Sequence, residues 1–146
     1  MARVTRFVKI INSWSVCDTF KFAGGKKYVS SHADRIWQYL KTFIHAEGEY
    51  EVRFGVVMAM EYFIDDTHID ELLNLLDGIR HERYYVKMAV AWALSYCMVK
   101  YPEKTTDYLS RSSLDNFTYN KSIQKAIESF RVDDGMKAKL RAMRRK

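Results

Sequence analysis

Residues 51–60, EVRFGVVMAM, and residues 85–94, YVKMAVAWAL, are two copies of one pattern set 34 positions apart. Val52 matches Val86, Arg53 matches Lys87, Val56 matches Val90 and Met58 matches Trp92. A further step of 34 reaches YNKSIQKAIE (119–128), where Lys121 falls on Lys87 and Ile127 on Ala93, and a step back from Arg53 lands on Thr19, next to Asp18. A helical period in the thirties is the signature of an α-solenoid: one helix pair cannot bury its own apolar face, so successive pairs stack and the inner helices line a concave surface.

Working outward, helical periodicity covers the chain. Helices are expected over 2–12, 14–22, 32–45, 49–64, 67–79, 83–100, 103–111, 117–130 and 134–144. Strand signals are scarce, and no Asn-Gly or Asp-Gly hairpin occurs. Ser31 and Thr67 are the expected N-caps, with Asp70 three residues after Thr67 in a weak capping-box arrangement. Pro102, the single proline, opens a helix where its missing N–H is harmless. Gly24-Gly25 and Gly48 read as breaks between helices.

A chain of 146 residues is one domain's worth, 1–146, and is long enough for a sizeable core. No 18-residue apolar run exists, which excludes a membrane-spanning helix, and the N-terminal stretch lacks the long apolar region of a signal peptide. Cys17 and Cys97 sit in apolar helical patterns and are expected as buried thiols in a reducing, cytoplasmic setting. The four histidines are scattered, there is no CxxC or HExxH, and no metal or other cofactor is expected. No phosphate-cradling glycine loop is present. The net charge of +6 is uneven: residues 131–146 hold seven basic and two acidic side chains, a net of +5, which leaves about +1 for the other 130. Such a tail is either a solvated helix face or an arm that meets phosphate.

Three groups of residues stand out. On the helix around 83–100, Val86, Ala89, Val90, Ala93, Leu94 and Cys97 form the core stripe. Tyr85, Trp92 and Tyr96 fall together roughly 100° off it. That row either faces a base or sugar or packs between neighbouring repeats. Trp14 and Asp18 are four apart and share a helix face. A carboxylate among Trp14, Val16, Cys17, Phe20 and Phe22 needs a partner or a cleft: either it pairs with Arg53 or it faces a cationic substrate, and both can hold. Arg53 and Lys87 are repeat-equivalent cations near helix starts, where they oppose the helix dipole. They form either a phosphate-tracking row joined by Lys121 or ordinary solvated charge.

NSWSVCDTF, Arg53 and YYVKMAVAWALSYC together resemble the AlkD-like family of DNA alkylation repair glycosylases, as do FTYNKSIQKAIESFRV and the basic end. Arg53 follows Asp18 by 35 residues and Trp92 follows Arg53 by 39, as in that family. The resemblance implies an all-α solenoid of HEAT-like repeats with a concave basic and aromatic face. Members of that family carry further helices ahead of the tryptophan helix, so the chain is expected to be either a natural short form or the C-terminal part of a longer family-type domain. The resemblance also implies a monofunctional glycosylase that excises positively charged N3- or N7-alkylated purines from duplex DNA without metal or cofactor. Trp14 and Trp92 would then lie against the deoxyribose and Asp18 would stabilise the oxocarbenium-like sugar and place the water. Arg53 would hold a phosphate, with Lys87, Lys121, Tyr85 and the tail residues Arg141, Arg144 and Arg145 on DNA. The competing expectations are a DNA-binding repeat protein without catalysis and a protein-interaction scaffold.

Overall fold

The computed structural model describes residues 1–146 as ten helices with no strand. They are α1 (Ala2–Ile10), α2 (Trp14–Asp18), α3 (Gly25–Ser31), α4 (Ala33–Ile44), α5 (Glu49–Tyr62), α6 (Ile69–Gly78), α7 (Tyr84–Lys100), α8 (Pro102–Ser110), α9 (Asn116–Glu128) and α10 (Asp134–Ala142). No helix is long and apolar enough to cross a membrane.

The quoted repeats are the centre of the molecule. Every residue of α5 from Val52 to Met60 is buried, so its apolar character runs all round the helix, as burial on several sides requires. α5 packs on α4 and α7, α7 on α9 and α8, and α1 and α2 cover α5 from its other side. All six residues of the expected α7 stripe are at most 1% exposed, while Tyr85 and Trp92 are half-buried and Tyr96 is exposed.

Side-chain bonds join positions about one repeat apart along the whole chain. Thr5 bonds Tyr39 at 2.8 Å, Trp37 donates to Glu71 at 2.7 Å and Lys104 to Asp70 at 3.0 Å, each 34 residues apart. The Asp77 carboxylate accepts from Tyr108, Ser112 and Ser113 and from the backbone N–H of Ser113. Burial pushes this carboxyl up, but those hydrogen bonds outweigh it and hold it below its ordinary value. The arrangement is compatible with an α-solenoid.

Four local expectations need correction. The helix expected over 14–22 stops at Asp18, where the Thr19 hydroxyl donates to the carbonyls of Ser15 and Val16. The chain then turns so that Phe20 stacks on Phe7 and meets Phe54 edge-on, while Phe22 packs against Tyr62. Two aromatics two apart cannot both face inward from one helix. The glycine pair lies between helices as expected, but the helix it opens, α3, is absent from the expected set: Gly24 (φ +86°) and Gly25 (φ +57°) make a left-handed turn that launches it. Ser31 and Thr67 are not N-caps. Ser31 closes α3, donating to Lys27 and Tyr28 carbonyls, and the N–H groups of Thr67 and His68 are held by the Asp65 carboxylate. The last helix ends at Ala142, and the final residues fold back instead of continuing it.

Candidate functional site

The short helix α2 presents its last residue to α5. Ser13 caps it by accepting from the N–H of Val16, and Cys17 anchors it, fully buried and directed at the Tyr50 carbonyl. Burial, with the neighbouring Asp18 charge, pushes the Cys17 thiol up to about 12, and burial pushes Cys97 up to about 12 as well, so both are inert anchors rather than nucleophiles. With Cys17 inward, Asp18 lies beside Arg53 and Trp14, one turn earlier, stays half exposed at 49%.

Asp18 and Arg53 form a two-pronged ion pair: Arg53 Nε donates to Oδ1 at 2.9 Å and Nη2 to Oδ2 at 2.6 Å. Such fork-to-carboxylate pairs fix both distance and plane. The remaining end, Nη1, donates to the Tyr85 carbonyl at 2.8 Å, so one guanidinium ties α2 through α5 to α7. The side chains are 7% exposed for Arg53 and 15% for Asp18, which leaves the carboxylate the more open partner. An ionised carboxylate has about four lone-pair directions and Arg53 takes one on each oxygen, so Asp18 keeps acceptor capacity on its open side. Three of the five N–H groups of Arg53 are thus engaged within the protein and its side chain is buried, so in this structure it is presented to Asp18 and Tyr85 rather than to solvent.

Trp92 lies two turns beyond Tyr85 on the same face of α7, about 10 Å along the helix axis at 1.5 Å per residue. It is half-buried, 6.1 Å from the Tyr96 ring, and borders a groove of about 760 Å³. Because Arg53 bonds the Tyr85 carbonyl, Arg53 and Trp92 stand at different heights on adjacent helices. Tyr85 is half-buried, its ring 6.1 Å from Tyr50 and 6.0 Å from the Arg53 guanidinium.

The remaining cations divide into engaged and open. Lys87 bonds Glu82 at 3.1 Å and lies 3.7 Å from Asp115; the Glu82 bond above all raises its ammonium over the ordinary value, against the opposing effect of burial. Arg145 is also structural. It donates to the carbonyls of Leu114 and Ser112 at 2.6 Å and sits 3.7 Å over the Tyr119 ring, pinning the C-terminal end to α9. Lys121 has no acidic partner and stands 6.0 Å from the Phe117 ring. Arg141 is exposed without a side-chain bond, and Arg144 is exposed with one bond to Gln124. Sequence reasoning missed Lys26, Lys100 and Arg131 around the Trp92 groove. Lys26 was hidden by the glycine pair before it, and Arg131 by its place in a turn. No three His, Cys, Asp or Glu side chains converge as a metal site.

A family model described as DNA alkylation repair enzyme matches residues 1–130, nearly nine-tenths of the chain. No curated protein and no solved structure matches it.

Proposed function

The chain belongs to the DNA alkylation repair enzyme family, which supports a role in DNA repair, and we propose that it is a monofunctional glycosylase that releases positively charged N3- or N7-alkylated purines from duplex DNA. The observation that carries this reading is the Asp18 carboxylate, oriented by Arg53, open on one side and one turn from the exposed Trp14. The reading takes the inner helices as the lining of a concave HEAT-like surface on which the duplex lies.

Alkylation at N3 or N7 makes the purine a cationic leaving group that departs neutral, so no general acid is needed. As the C1′–N bond breaks, its electron pair goes to the base and positive charge develops on the sugar. A fixed carboxylate and aromatic faces are the groups that stabilise such charge. In this mechanism Asp18 faces the oxocarbenium-like sugar and accepts a hydrogen bond from the attacking water. Trp14 and Trp92 border the deoxyribose. Arg53 acts as a positioning residue, holding the carboxylate plane. Lys121, Arg141 and Arg144 meet phosphates, while Lys87, Tyr85 and Arg145 shape the surface from within it.

The test is the spectrum of bases released. Duplex DNA carrying N3-methyladenine, N7-methylguanine and O6-methylguanine is incubated with the chain and the free bases are separated. Release of the two cationic bases, with O6-methylguanine and unmodified guanine retained, is the expected result. Release of O6-methylguanine at a comparable rate would overturn the leaving-group argument.

A further inference from the structure

Tyr50, the second residue of α5, stands between the two helices that Arg53 ties to its own. Its carbonyl faces α2, where the Cys17 Sγ lies 3.9 Å away. Its half-buried ring stacks on the Tyr85 ring of α7, with 6.1 Å between centres and 29° between planes. Tyr50 and Arg53 are three apart in one helix, so their side chains leave the same face. The Tyr85 ring lies 6.0 Å from the Arg53 guanidinium, within the range at which a cation is drawn to a ring face. On its other side Tyr85 meets Tyr84 edge-on at 5.5 Å.

The three bonds of Arg53 leave from the edge of its flat fork and fix the guanidinium within its own plane. Tilting of that plane is what they restrain least, and a tilt carries the fork off the two Asp18 oxygens. A ring beside the guanidinium restrains the tilt and keeps water from the ion pair, which strengthens the attraction. The Tyr85 ring serves this end only while it is itself held, and from α5 the group that holds it is Tyr50, in the offset stacking that aromatic pairs prefer. We infer that Tyr50 is a positioning residue for Asp18: its ring fixes the Tyr85 ring, the Tyr85 ring steadies Arg53, and Arg53 holds the carboxylate. The inference rests on the proposed function for the reaction that Asp18 serves, and adds to it a residue that acts through two others.

The test compares the native chain with Tyr50→Ala, Arg53→Lys, which keeps the charge but not the fork, and the double variant. Tyr50→Phe is measured beside them. Single-turnover release of N7-methylguanine from duplex DNA gives a maximal rate and a protein concentration at half-saturation. Tyr50→Ala is expected to lower the maximal rate by about tenfold or more, since a misplacement of about 1 Å can cost about a hundredfold, and to leave half-saturation unchanged. Tyr50→Phe, which keeps the ring, is expected to match the native rate. In the Arg53→Lys background Tyr50→Ala is expected to change the rate by less than about twofold, because the group it acts through is already lost. Tyr50→Leu, which fills space without a flat face, carries the same expectations where Tyr50→Ala does not fold. Native release by the Ala or Leu variant, an equal loss in Tyr50→Phe, a loss confined to half-saturation, or the same fold-loss with and without the Arg53 fork would overturn the inference. Urea midpoints of the same proteins need no catalysis, and those of the single and double variants are expected to be non-additive. Non-additive midpoints in a chain that releases no base would remove the glycosylase alone, whereas native release with additive midpoints and additive rate losses would remove the positioning role alone.

Discussion

Arg53 is the residue on which the site depends. Its guanidinium is almost wholly enclosed and its three named bonds join α2, α5 and α7. Removing one member of a buried pair strands the other, so Arg53→Ala is expected to lower unfolding free energy by about 3 kcal/mol in urea titration. An unchanged denaturation midpoint would show that the pair contributes nothing to the fold. Sequence reading placed Asp18 and Arg53 together as one of two alternatives, because a carboxylate among Trp14, Cys17 and Phe20 needs a counter-charge. It could not show how the repeat-equivalent Arg53 and Lys87 differ. Arg53 is enclosed by α2, whereas Lys87 lies outside that cover and meets acids from the turn before α7 and from Asp115. The distinction is made by which helices cover each position, and one period of sequence does not contain it.

At the scale of elements, α5 was legible as a helix but its surroundings were not. Gly55 sits in the middle of an apolar helix, where glycine is otherwise unfavourable. A Cβ there would lie 2.9 Å from the Ile44 backbone nitrogen and 3.0 Å from Phe43 Cβ, so the glycine marks where α4 and α5 approach closely. Backbone cannot yield as a side-chain tip can, and Gly55→Ala is expected to cost about 1–3 kcal/mol despite its better helix propensity. A thermal melt equal to or above that of the native chain would show that the helices separate without penalty. The boundaries misread from sequence have two causes. The apolar pattern is carried past Asp18 by Phe20 and Phe22, which are instead inward-packing residues of the irregular segment after α2. α3 was missed because two glycines at its entrance read as a stop, though only the left-handed turn uses their freedom.

At the scale of the whole molecule, side-chain bonds such as Thr5–Tyr39, Trp37–Glu71 and Asp70–Lys104 join residues 34 apart, the same spacing as the sequence pattern. The charge distribution was less legible. Of the seven basic residues from Arg131 onward, Arg145 is a structural pin and Arg131 faces the Trp92 groove, so the tail is not one uniform arm. DNA binding should reflect this division. Lys121→Ala and Arg141→Ala are each expected to reduce the slope of log affinity against log salt by about 1, whereas Arg145→Ala should mainly lower thermal stability. A slope unchanged by both of the first two substitutions would place the duplex elsewhere on the surface. The central claim is that the Asp18 carboxylate stabilises charge on the sugar. Its most direct test is single-turnover release of N7-methylguanine from duplex DNA by the native chain and by Asp18→Asn, with DNA affinity and thermal melts measured on both. Release that falls by about a hundredfold or more, in a folded variant whose affinity for DNA is retained, is the result this account predicts; release at the native rate by folded Asp18→Asn would contradict it.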